Sequence, residues 1–138
     1  MLVLLLGCTK IDFEYSPKVI DWGEINFYDE MPENGYKEQN ILFRNIGKKQ
    51  ISLNVSGFNK EYFCVVGETE SDFVNITELE SNQIFEISVS VCNYIEENGE
   101  RDTDISGTFQ ITDQAKNNDI GSIDWSFTPT IQILGDSG

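Results

Sequence analysis

Short segments in which every second residue is apolar recur along this chain, and they restrict what it can fold into. Phe85, Ile87 and Val89 alternate with polar residues in one such segment, and residues 105–113 repeat the pattern. A period of two is typical of β-strands that bury one face. The segments are separated by polar turns, and none has the period of 3.6 expected of a helix. The sequence therefore predicts an all-β protein in which two sheets pack together.

Two of these segments lie close together in residues 40–57, with Phe43 in the first and Leu53 in the second. The turn between them contains Gly47, which can adopt the positive φ of a tight connection. We therefore expect a β-hairpin here. Because two strands cannot bury an apolar face alone, a second sheet is expected to cover it. The predicted common core comprises Phe43, Leu53, Ile87, Val89, Phe109 and Trp125.

Composition excludes several classes of function. A length of 138 residues with 39% hydrophobic residues is enough for one domain with a core. The net charge of −15 repels a phosphate backbone, so no nucleic-acid partner is expected. The chain has no histidine, which is the usual general base near neutral pH and the commonest transition-metal ligand. We therefore expect a protein with no catalytic activity and no cofactor.

The N-terminus carries a short apolar run, residues 2–6, followed by Gly7 and Cys8. Five apolar residues are too few to span a bilayer, and the basic region of a complete secretory signal is missing. The run resembles the lipobox of bacterial lipoproteins. That resemblance implies cleavage before Cys8 and acylation of its thiol, so that lipid anchors the protein to the cell envelope, in the outer membrane or at the surface. Residues 1–7 would then be a truncated signal peptide and residues 8–16 a tether.

Residues 16–25 contain a proline followed by Asp21, Trp22, Gly23 and Ile25. This order resembles the opening strand of the ASH family, the hydin-like immunoglobulin repeats related to the major sperm protein. Gly23 beside a large ring permits a bulge, at which a first strand can switch between sheets. Later segments match the family's strands in order. Their positions are Asn45 and Gly47, residues 51–57, residues 63–65, the edge segment 74–79, residues 83–93 and residues 105–113.

The resemblance covers residues 17–128 and implies an immunoglobulin-like β-sandwich of seven or eight strands. Residues 123–127 supply the last strand, which Pro129 is expected to end. Residues 129–138 are then a C-terminal tail or an extra strand. The resemblance also implies a protein-binding or scaffold role, and exposed strand edges of a sandwich can pair with a partner's strand.

Cys64 and Cys92 both lie out of phase with the apolar residues of their segments. In an oxidising compartment the two thiols can be bridged. Two free, partly shielded thiols are the other interpretation, because the family topology does not say whether the two strands are neighbours. Two cysteines without histidine are too few ligands for a tetrahedral zinc site.

Weaker site candidates are calcium and sugar. Asp102 and Asp104 have the i, i+2 spacing of hard-cation loops, although acidic turns are usually just solvated. Trp22, Trp125 and Tyr94 could form an aromatic platform for sugar, but the two tryptophans are in phase with core residues.

The leading hypothesis is a non-catalytic, lipid-anchored envelope protein that binds another envelope protein, with strand-edge pairing as the mode. The alternatives are a non-lipidated intracellular scaffold domain of the ASH type and a surface module that binds calcium or glycan.

Overall fold

A computed structural model describes residues 11–27, 30–33, 35–67, 72–93 and 104–130 of the chain. These residues form nine strands and no helix. The strands are β1 (Phe13–Ser16), β2 (Val19–Asn26), β3 (Tyr36–Asn45), β4 (Ile51–Ser56), β5 (Phe63–Val65), β6 (Phe73–Leu79), β7 (Ile84–Val91), β8 (Ile105–Asp113) and β9 (Asn118–Thr130).

The strands form two sheets, one in the order β1-β3-β7-β5 and the other in the order β2-β9-β8-β4-β6. The central pairings β3-β7 and β9-β8-β4 correspond to the B-E and G-F-C pairings of an immunoglobulin-like sandwich. This confirms the predicted class. Nine strands are present where seven or eight were expected, because β1 lies in the segment predicted as a tether.

The expected hairpin is wrong: β3 and β4 lie in different sheets, and the connection between them arches across the sandwich. The buried Asn45 side chain holds this arch, since Nδ2 donates to Lys49 O and Leu79 O at 2.8 Å each, and Oδ1 accepts from Gly47 N at 2.9 Å. Its backbone also binds the connection between β6 and β7, through Asn82 N to Asn45 O at 2.6 Å. Alternation shows which side chains share a face, but a connection of this length can close a hairpin or join two sheets.

The first strand corrects the predicted tether. β1 pairs with β3, with Phe13 opposite Asn45 and Tyr15 opposite Phe43. The Tyr15 and Phe43 rings stack with centroids 6.2 Å apart. Residues 13–16 therefore belong to the sandwich, because their aromatic side chains pack on it.

The chain changes sheets between β1 and β2, at the cis peptide bond Ser16-Pro17. The expected bulge at Gly23 is present, with φ of +67° and a register shift between Asp21 and Glu24. The switch was expected at this bulge and instead occurs six residues earlier, at Pro17. Beyond it, β2 pairs with β9 in parallel.

The six predicted core residues are all buried in one cluster between the sheets, which confirms that set. Trp22 is buried there as well, with 2% of its surface exposed, against 7% for Trp125. Pro129 does not end β9, which continues to Thr130. The neighbouring β8 reaches only as far as Phe127, so the missing N–H of Pro129 leaves no gap in that ladder.

Candidate functional site

The surfaces most suited to a protein partner are the four sheet edges, because edge strands carry backbone groups that a further strand can pair with. The first sheet ends in β1 and β5, and the second ends in β2 and β6. The four edges differ in length and in how they are covered.

The β2 edge is covered by Lys37 of β3. The Lys37 ammonium donates to Trp22 O at 3.2 Å and to Glu24 O at 2.7 Å. In return, Trp22 Nε1 donates to Lys37 O at 2.8 Å. Lys37 has a φ of +51°, a conformation that few residues with side chains adopt. The β2 carbonyls that a partner strand would need are therefore already occupied.

The β1 edge is short and charged. Its four residues include Glu14, whose Oε1 lies 3.7 Å from Nη1 of Arg44. Tyr15 donates its hydroxyl to Ser122 O at 3.0 Å, and the Lys18 ammonium lies 3.4 Å from the centroid of the Tyr15 ring. Short edges flanked by charges are poor templates for an added strand.

The β5 edge has three residues and is held by a disulfide. β5 pairs with β7, which places Cys64 opposite Ser90 and brings it next to Cys92. The two cysteines are bonded in the structure, with their Cα atoms 5.7 Å apart, a usual spacing for a disulfide. Gly35 packs on this bridge, since a Cβ there would lie 2.7 Å from Cys92 Sγ.

The β6 edge is the open one. β6 has seven residues and, among the described residues, pairs only with β4. Val74 and Ile76 point into the core, while Phe73 keeps 39% of its surface exposed. A bulge interrupts the strand at Glu78, whose φ is +54° and whose N–H donates to Ser52 Oγ at 3.0 Å. The regular part of this edge runs from Phe73 to Thr77 and overlaps residues 74–79, the segment that the sequence predicted as an edge.

The outer side of β6 is fixed by uncharged side chains. Asn75 Oδ1 accepts from Asn54 Nδ2 at 2.8 Å and from Gln114 Nε2 at 3.1 Å. Gln114 Nε2 also donates to Leu53 O at 2.8 Å. These bonds tie β6 to β4 and to the β8–β9 turn, so the open edge is held in place before any partner arrives.

The remaining predicted sites are not assembled in the described part of the chain. The Asp104 carboxylate accepts a hydrogen bond from Thr128 Oγ1, and Asp102 lies outside the described residues. No group of three or more His, Cys, Asp or Glu side chains suited to a metal occurs among the residues described. Trp22 and Trp125 are core residues, and Tyr94 is not among the residues described.

Sequence reasoning missed Lys37 and Phe73. The alternation of apolar and polar residues predicts neither the positive φ of Lys37 nor which side of an edge strand is accessible. Cys8 lies outside the described residues, so its proposed acylation stays a prediction. Within the described ranges, no helix is long and apolar enough to cross a bilayer.

No protein-family model matches the sequence, and no curated protein matches it. Similar solved structures include the YadV chaperone, at 13% identity and a TM-score of 0.48, covering 86% of this chain and 52% of that one. The PapD-like domain 7 of human CEP192 is 13% identical with a TM-score of 0.49, covering 88% and 87%. The major sperm protein family member WR4 of C. elegans is 8% identical with a TM-score of 0.46, covering 86% and 97%.

The chain thus spans about half the length of the YadV chaperone. All three TM-scores are below 0.5, so the class of fold rests on the strand order and pairing within the chain itself.

Proposed function

We propose that this chain is a non-catalytic module that binds a partner protein by accepting one of its strands at the β6 edge. The observation that carries the proposal is the contrast among the four edges: β1 and β5 are short, Lys37 covers β2, and β6 is regular and, among the described residues, pairs only with β4. A strand added there would take its affinity from backbone hydrogen bonds. The half-exposed Phe73 ring offers an apolar contact to an alternate side chain of that strand.

We further propose that the module works on the extracytoplasmic side of a bacterial envelope. The Cys64–Cys92 bond supports this location, because disulfides persist in oxidising compartments and are rare in reducing ones. The same bond disfavours the intracellular scaffold. Lipid on Cys8 would hold the module at the membrane, and two or more acyl chains are needed for stable attachment. Labelling cells with radioactive palmitate, with a Cys8→Ser variant as control, tests the lipid.

Site-specific photo-crosslinking in native cells tests the edge. A benzophenone amino acid is placed at Phe73 or at Thr77, both on the outer face of β6. The matched controls are Thr108, on the same face in the middle of the sheet, and Val19, exposed on the covered β2 edge. We expect one discrete adduct from both β6 positions and none from either control.

If Thr108 gave adducts in the same yield as Phe73 and Thr77, the partner would lie on the face of the sheet instead of at its edge. An adduct from Val19 alone would move the site to β2. Either result would overturn the assignment of the partner to β6.

A further inference from the structure

The chain enters the sandwich very close to the proposed lipid. Ile46 N donates to Asp12 O at 3.3 Å, so the backbone is held from Asp12 onward. Only three residues separate Asp12 from Cys8. Extended chain covers about 3.3–3.6 Å per residue, which puts the two Cα atoms at most about 14 Å apart. The end of the sandwich at which Asp12 lies, called here the anchor end, must therefore stay near the bilayer surface.

The anchor end carries a basic and apolar groove. Its walls include Lys48 and Lys49 from the β3–β4 connection, Lys116 from the β8–β9 turn, and Ile46, which is 49% exposed. The segments at this end, residues 11–12, 46–50, 80–83 and 114–117, contain those three lysines and only two acidic residues. The adjoining strand ends carry further charged residues, Glu14, Arg44, Glu78, Asp113 and Asp119, of which Asp113 is buried.

The opposite end, where β2, β4 and β9 finish, has a very different sequence. Its described connecting residues, 27, 30–33, 35, 57–62, 66–67, 72, 92–93 and 104, contain five acidic residues and one basic residue, Lys60. The acidic residues are Glu30, Glu33, Glu61, Asp72 and Asp104. Among the described residues of the connecting segments, acidic side chains therefore outnumber basic ones at this end and not at the anchor end.

We infer that the anchor end is the surface that faces an anionic lipid bilayer and that the sandwich stands upright on it. This inference rests on the proposed attachment at Cys8. A negative surface attracts nearby lysines and repels carboxylates, but only within a Debye length of about 8 Å at physiological ionic strength. Standing upright keeps the acidic segments outside that layer. A domain lying flat would bring the acidic segments within a Debye length of the bilayer. The difference in charge between the two ends therefore favours the upright orientation.

The two orientations differ measurably in thickness. The 13 residues of β9 run along the long axis and, at about 3.3 Å each, span about 43 Å. Five strands side by side at about 4.8 Å span about 24 Å. An upright domain therefore makes a protein layer nearly twice as thick as a flat one.

Neutron reflectometry on a supported bilayer tests the orientation. With Cys64 and Cys92 bonded, Cys8 is the only free thiol of the full chain, so it can be coupled to a maleimide lipid whether or not cells acylate it. We expect a layer of about 40 Å on bilayers rich in phosphatidylglycerol. On phosphatidylcholine alone, or in 1 M salt where the Debye length is about 3 Å, we expect the layer to become thinner.

A matched pair of variants distinguishes the effect of charge at the anchor end from the effect of the net charge of the chain. Lys48→Glu and Lys60→Glu change the net charge equally, and both lysines are exposed, but they lie at opposite ends. We expect Lys48→Glu to thin the layer on the anionic bilayer and Lys60→Glu to leave it unchanged. Equal thickness on anionic and zwitterionic bilayers, or equal effects of the two variants, would overturn the inference. Failure of palmitate labelling would instead count against native lipidation and leave this measurement valid.

Discussion

The two lateral sides of the sandwich are built differently. On one side the chain passes from β1 in the first sheet to β2 in the second, and Lys37 of β3 occupies the β2 carbonyls. On the other side the chain also passes between the sheets, from β5 to β6, but through a longer connection, residues 66–72. A disulfide holds the short β5, and β6 stands at the edge of its sheet with only β4 beside it among the described residues.

The difference suggests how a sandwich can keep an edge strand on one side available to a partner while the other side is protected from aggregation. On the first side, the Lys37 ammonium protects β2 by hydrogen bonds to two of its backbone carbonyls. The second side is held by the Cys64–Cys92 bond and by the side-chain bonds of Asn75, and among the described residues β6 has no strand on its outer side. Four substitutions probe this contrast, from the largest expected loss of stability to none.

Trp22→Ala should have the largest effect, because it empties a buried ring from the closed side and removes the bond to Lys37 O. We expect a loss of about 3–5 kcal/mol from a total of about 5–15. Urea denaturation followed by circular dichroism measures it. Phe73→Ala on the open side is the control and should stay within about 0.5 kcal/mol. Similar losses for both variants would contradict the contrast between the sides.

Removing the disulfide with Cys64→Ala/Cys92→Ala should cost about 2–4 kcal/mol, since the bridge closes a loop of 28 residues in the unfolded chain. Reducing agent should lower the melting temperature of the wild type and leave the double variant unchanged. Hydrogen exchange should increase at β5 and not at β1. An equal increase in hydrogen exchange at β5 and β1 would mean that the disulfide does not stabilise the open side specifically.

Lys37→Met keeps the aliphatic stem and removes the donor that covers the β2 edge. We expect a loss of about 0.5–1.5 kcal/mol, the usual worth of a hydrogen bond in a protein. The exposed edge should also associate with itself, which sedimentation velocity detects as a concentration-dependent dimer. Lys60→Met is the control and should remain monomeric. A monomeric Lys37→Met protein would show that the lysine does not protect the edge.

Cys8→Ser should leave the melting temperature unchanged, because the described residues that pack on the sandwich begin at Ile11. The same variant should move from washed membranes to the soluble fraction. Lys10→Ser, in the same short connection, is the control and should stay with the membranes. Membrane retention of folded Cys8→Ser protein would remove the case for a lipid anchor.

Much of the fold was predictable from local pattern. Alternation correctly assigned the inward face of β7 and β8, and phase placed both tryptophans in the core. The same pattern failed at β3 and β4, where a hairpin was expected, because the Asn45 bonds that build the arch reach Leu79, 34 residues away. Of the candidate site, the edge position of β6 was expected, but the cover over β2 was not, since it depends on one unusual backbone conformation at Lys37.

By itself, the sequence determined that the chain is all-β, which residues fill its core, and that it has no histidine chemistry. All three properties are local or compositional, so a strand pattern or a residue count is enough to read them. Only the tertiary structure decided which strands stand at the edges of the described sheets and that Cys64 lies beside Cys92. These depend on which strands are neighbours, and the period of two is the same whichever neighbour a strand has.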